Sequence, residues 1–226
     1  MGTTDMMDTQ KGAPTPGVDD MLAAYVAGSL SHPLNVLMAS HLELSSRHHA
    51  LVATLEAACG DHLADLPPQP LANPQRMLAE ITATTPVTML PSVMAPSGGN
   101  DGLPPTLSAF LGKPLGDLAW RRVMPGLKDV RLGNNDGGEV SLLLVSAGRR
   151  MPAHTHAGRE VTLIIKGSFI DDQGTFARGD ISIADSHVDH RPRAGADEDC
   201  LCFVVTDAPL RLTGTFGRLV QRLLKH

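Results

Sequence analysis

Aromatic residues are scarce in this sequence: Tyr25 and Trp120 are its only tyrosine and tryptophan, beside five phenylalanines. Cysteine is scarcer still. Cys59, Cys200 and Cys202 cannot staple a chain of 226 residues, which points to reduced thiols and a cytoplasmic location. No apolar run approaches the roughly 18 residues a membrane-spanning helix needs. The opening MGTTDMMDTQKG lacks the basic start and apolar stretch of a secretory signal. Positive charge is not in excess either, with 19 Lys and Arg against 24 Asp and Glu. A net charge of −5 excludes a nucleic-acid binder held by phosphate contacts. What is present is a hydrophobic content of 42% with 19% charged residues, the balance of a folded globular chain.

Composition divides the chain near residue 95. Residues 1–95 hold three basic and nine acidic side chains, so nearly all the acidic excess is N-terminal. Polar residues 1–18 read as a mobile arm. A helical module is expected over residues 19–82. Asp19 or Asp20 would cap a helix starting at Met21, with Leu22, Tyr25, Val26 and Leu30 on its apolar stripe. After the Ser31-His32-Pro33 break, a longer helix is expected over residues 33–58, with Gly60 as its stop. DLPPQPLANPQR reads as a connector, a short helix is expected over 74–82, and residues 83–103 read as a linker.

From residue 104 to 226 the texture becomes that of a β domain. VSLLLVSAG, EVTLIIKGSF, TFARGDISIAD and CLCFVVTD are strand-like runs, with APLRLTG after them. Asn134–Gly138 and Asp171–Gly174 have the composition of hairpin turns. A final helix is expected from Phe216 to Leu224, packed outside the barrel. The fold class is therefore α+β and multidomain: a small helical module, then an all-β barrel.

One segment of the β domain carries chemistry. Gly148 is followed after five residues by His154-Thr155-His156, after three more by Glu160, and after six more by Gly167. On a strand, His154 and His156 point to one face, about 7 Å apart at Cα. Glu160 opens the next extended run and adds an oxygen donor. Downstream, Gly179-Asp180 precedes His190 and Pro192. Three imidazoles and a carboxylate suit zinc, iron, manganese or nickel. These two segments resemble the paired motifs of the cupins, double-stranded β-helix (jelly-roll) barrels, with Ala177 where the second motif usually has proline. The resemblance implies His154, His156, Glu160 and His190 as metal ligands, with zinc ahead of iron, manganese or nickel. Cys200 and Cys202 also share a face, and pairs of this kind are usually small buried hydrophobes.

The segment from Asp19 to Asp61, DDMLAAYVAGSLSHPLNVLMASHLELSSRHHALVATLEAACGD, resembles the helical zinc-binding anti-sigma module. With GDISIAD, DCLC, VVTDAPLRL and RLVQRLL, the likeness to the ChrR family of anti-sigma factors covers most of residues 19–225. It implies an extracytoplasmic-function sigma factor as partner, a sensor barrel responding to oxidative stress, no direct contact with nucleic acid or membrane, and a possible homodimer. The module's His-x-x-x-Cys-x-x-Cys motif reads His41, Ser45 and His48 here, on one expected helix face. Serine keeps its proton and binds zinc poorly, so the N-terminal zinc is expected to be absent or weakened. The alternative reading is a metal-dependent cupin oxygenase, for instance one that cleaves diketones.

Overall fold

The computed structural model describes residues 17–84, 102–135, 138–152, 154–156, 158–186, 191–208 and 210–212. The arm up to residue 16, most of the linker, His190 and the helix expected at Phe216–Leu224 lie outside the described residues.

The first helix, α1 (Val18–Val26), starts three residues earlier than expected. Asp20 sits inside its first turn and accepts the Gly17 N–H at 2.9 Å. An acidic residue there favours the positive end of the helix dipole, so the acidic pair supports the start from within. The helix expected over residues 33–58 is two helices, α2 (His32–Leu44) and α3 (His49–Ala64). Ser45 leaves α2 in an extended conformation (φ −140°, ψ 128°), and its hydroxyl accepts the Arg47 N–H at 3.4 Å. Short hydroxyl side chains that bond nearby backbone compete with helix continuation, and two in succession end α2. His41, Ser45 and His48 therefore do not share one helix face. Gly60 does not stop α3, which runs on to Ala64. The short helix appears as α4 (Pro74–Ala83), with Pro74 in its first turn and the Asn73 side chain accepting the Arg76 N–H at 3.0 Å. A further helix, α5 (Pro105–Leu111), was not expected and packs against α2.

Eleven strands follow among the described residues: β1 (Arg121–Met124), β2 (Leu127–Asn135), β3 (Gly138–Val145), β4 (His154–His156), β5 (Glu160–Lys166), β6 (Ser168–Asp171), β7 (Gly174–Ala177), β8 (Ile181–Ala184), β9 (Arg193–Ala194), β10 (Cys200–Thr206) and β11 (Leu210–Leu212). They form a six-stranded sheet in the order β1-β2-β3-β10-β5-β8, a three-stranded sheet β7-β6-β9 and a pair β11-β4. The pairings within these sheets are antiparallel. Both expected hairpins are present, pairing Asn135 with Gly138 and Asp171 with Gly174. β1 and β2 were not foreseen, because RRVM and LKDVRLGNN carry too much charge to stand out as strands.

Within the large sheet, β5 and β10 are buried on both faces, which explains why they read as continuous apolar runs rather than alternating ones. Leu201, Phe203 and Val205 of β10 and Val161, Leu163 and Ile165 of β5 face the helices, packing with Leu22, Leu37 and Met38. Cys200, Cys202 and Val204 belong to a second cluster with Val145, Ile164 and Phe169 inside the barrel. The helical module and the β domain therefore share one core across β5 and β10. Each fully buried Leu or Phe in it contributes on the order of 2 kcal/mol.

Candidate metal centre

The alternation of β5 that sends Val161 and Leu163 toward the helices sends Glu160 and Thr162 into the barrel. There they line a cavity with His154, Met151, Phe169, Cys200 and Cys202. The cavity is small, about 30 Å³, enough for a water or an ion. His154 is buried, and its Nδ1 lies 2.9 Å from the Pro152 carbonyl, which can only accept. Nδ1 therefore carries the proton, and Nε2 is the nitrogen with a lone pair to offer.

Glu160 is the most perturbed carboxyl of the site. Burial pushes its pKa up to about 7, opposed by a hydrogen bond from the Thr162 hydroxyl at 3.3 Å. A carboxyl group removed from water holds its proton more tightly. A divalent cation reverses that preference, so the donor chemistry of His154 and Glu160 in one small cavity suits a metal.

Of the four expected ligands, the structure brings these two together. His156 lies on β4, where its backbone pairs with Leu210, but its side chain is outside the described residues, as is His190 altogether. Among the described residues, no group of three or more His, Cys, Asp or Glu side chains is spaced to hold a metal.

Thr162 and the two cysteines were not singled out as residues of this site, yet the spacing held the signal. Thr162 is two residues from Glu160 on one strand and must share its face. Register then places β10 beside β5, with Cys202 opposite Ile164. The two sulfurs lie 3.6 Å apart, and both cysteines are buried. Hydrogen bonding to Cys200, burial and the nearby Glu160 push the Cys202 thiol well above its ordinary range. In this state it is a packed, protonated thiol, the opposite of a reactive one.

Gly167, the last glycine of the motif, turns the chain from β5 into β6 at φ 70°. A Cβ there would sit 2.6 Å from the Asp199 carbonyl oxygen. Glycine is required both by the left-handed backbone and by the closeness of the neighbouring strand.

The site in the helical module is arranged differently from a metal cluster. His41 is buried, and its Nδ1–H donates to the Gly179 carbonyl at 2.6 Å. Its Nε2 accepts from His48 Nδ1 at 2.8 Å. Burial lowers the His41 pKa, the Gly179 bond opposing it, and His48 and Arg47 add to the lowering while Asp180 counters it. Both imidazoles are thus engaged in hydrogen bonds, and Ser45 ends the helix instead of facing them.

Comparison with known proteins agrees with both halves of the chain. Residues 113–209 match the ChrR cupin-like domain. Over 204 residues the chain is 33% identical to the anti-sigma-E factor ChrR of Cereibacter sphaeroides, covering 90% of this chain and 94% of that protein. The crystal structure of Rhodobacter sphaeroides SigE in complex with the anti-sigma ChrR is similar at 32% identity, with a TM-score of 0.69 over 84% of this chain and 96% of the other.

Proposed function

Because this chain belongs to the ChrR family of anti-sigma factors, we propose that it sequesters an extracytoplasmic-function sigma factor through its helical module. The observation that carries this reading is an unburied apolar surface. Leu63 at the end of α3, Leu66 and Leu71 in the connector, and Met77, Leu78 and Ile81 on α4 are all exposed. Met77, Leu78 and Ile81 lie on one side of α4, while Arg76 and Glu80 pair on another at 2.8 Å. A helix with an apolar face that has no partner among the described residues is suited to be covered by another protein. The acidic balance of residues 1–95 complements the basic surface of a DNA-binding partner and speeds association.

No described helix is long and apolar enough to cross a membrane. We place the protein in the cytoplasm, where its partner works. The barrel serves as the sensing half, with a transition metal, zinc first, held by His154, His156, Glu160 and His190. Bound there, the metal would supply a Lewis-acidic centre open to an oxidant. The chain's own part is to shield the site with Met151, Phe169 and Val145, to fix His154 through Pro152 and to position Glu160 through Thr162. Cys200 and Cys202 complete the wall. The signal released through this site is oxidative stress. Co-expression with the extracytoplasmic-function sigma factors of the same organism tests the reading: a stable complex of one of them with the full chain supports it, and recovery of every one apart from the chain overturns it.

A further inference from the structure

The elbow between α2 and α3 is pinned to the barrel, and the pin is attached to the strand that carries Glu160. On the helical side, His41 donates to the Gly179 carbonyl at 2.6 Å, and Arg47 lies 3.3 Å from Asp180. On the barrel side, the Gly179 N–H donates to the Ile164 carbonyl at 2.8 Å, and the Ile164 N–H donates to the Asp180 carbonyl at 3.0 Å. Ile164 packs inside the barrel, two pleats from Glu160 on the same face of β5. β8, which starts at Ile181, pairs Ala184 with Glu160 itself. The turn fits closely, for Gly179 has φ 88°, and a Cβ on it would sit 3.3 Å from Leu44 at the end of α2.

The same elbow sets the direction of α3. His48, hydrogen-bonded to His41, is the residue immediately before α3 begins, and α3 leads to the exposed apolar surface. We propose that the Gly179-Asp180 turn is the joint through which the state of the barrel cavity sets the position of α3 and α4, and with it the hold on the partner. The inference rests on the proposed sensing role of the barrel. Physically, two sites are coupled when one element has two arrangements that both sites bias. The elbow and the turn meet through two polar side-chain contacts, one from buried His41 and one from exposed Arg47, beside the close fit of Leu44, so a shift of the turn passes directly to the elbow. Arg47 is largely exposed, so its ion pair steers the elbow more than it stabilises the fold.

Hydrogen exchange on the full chain, with Zn(II) as the probe, tests the joint in three proteins: wild type, Arg47→Ala and His41→Gln. Arg47→Ala removes an exposed side chain and leaves the core intact, so it stays informative if His41→Gln folds poorly. In wild type, zinc added to metal-stripped protein slows exchange in β5 and also slows residues 45–52 by about tenfold. In the variants β5 still slows, while the zinc response at 45–52 is lost or cut several-fold. Slowing in β5 with a silent elbow in wild type, or an equal elbow response in wild type and both variants, overturns the joint alone. Zinc that leaves β5 unchanged overturns the metal reading and the joint with it.

Discussion

At the scale of single residues, Glu160 decides how the barrel behaves. Its folded pKa of about 7 lies above the ordinary 4.5, so the metal-free folded state holds this proton more tightly than the unfolded chain does. A raised carboxyl pKa means that stability falls as pH rises from about 4.5 through about 7, by on the order of 3 kcal/mol. Urea unfolding of metal-stripped protein across that range is expected to show this slope, and Glu160→Gln to flatten it. Metal uptake must expel the same proton, so apparent affinity should climb about tenfold per pH unit below pH 7 and level off above it. Elemental analysis supplies a companion test. His154→Ala and Glu160→Gln are expected to lose most of the bound transition metal while the fold persists, and undiminished metal in both would remove them from the ligand set.

At the scale of elements, the exposed face of α4 is the feature with the clearest consequence. Leu78 and Ile81 are exposed, so Leu78→Asp or Ile81→Asp should change unfolding stability by no more than the ~0.5 kcal/mol usual for surface sites. Binding to the sigma factor, followed by calorimetry, is expected to weaken at least tenfold. Legibility also divides at this scale. β5 and β10 were readable because long β-branched runs admit few alternatives, and α4 was readable because Pro74 and an apolar stripe mark it. The α2–α3 break was missed because the apolar positions at Leu37, Leu51 and Leu55 keep helical spacing across it, while the cause lies in Ser45 and Ser46. α1 was placed late because Asp20 acts from inside the first turn. Of the candidate site, the spacing marks His154 and Glu160, and the structure brings both to one cavity. Thr162 follows from Glu160 by alternation along β5, whereas bringing the two cysteines to the cavity took the pairing of β5 with β10, a non-local fact no short motif encodes.

At the scale of the whole molecule, the two modules are not beads on a string. Leu163 and Phe203 are fully buried between the large sheet and the helices, in one cluster with Leu22 and Leu37. A Leu163→Ala change should cost about 2–5 kcal/mol and lower the unfolding midpoint of helices and barrel together. Separate transitions for the two halves would contradict a common core. Such a core lets a change inside the barrel reach the helices without a long lever, as a sensor joined to a docking module requires. The sequence pattern hinted at two modules by its change of charge and texture near residue 95. Their union was hidden, because it depends on which face of β5 and β10 each side chain takes.

The central claim is that the helical module holds a sigma factor. Titration calorimetry of the purified full chain against the extracytoplasmic-function sigma factors of the same organism tests this most directly. The account predicts a one-to-one complex with a dissociation constant below about 1 μM, corresponding to roughly 8 kcal/mol or more. No measurable heat and no comigration on gel filtration at micromolar concentrations would contradict it.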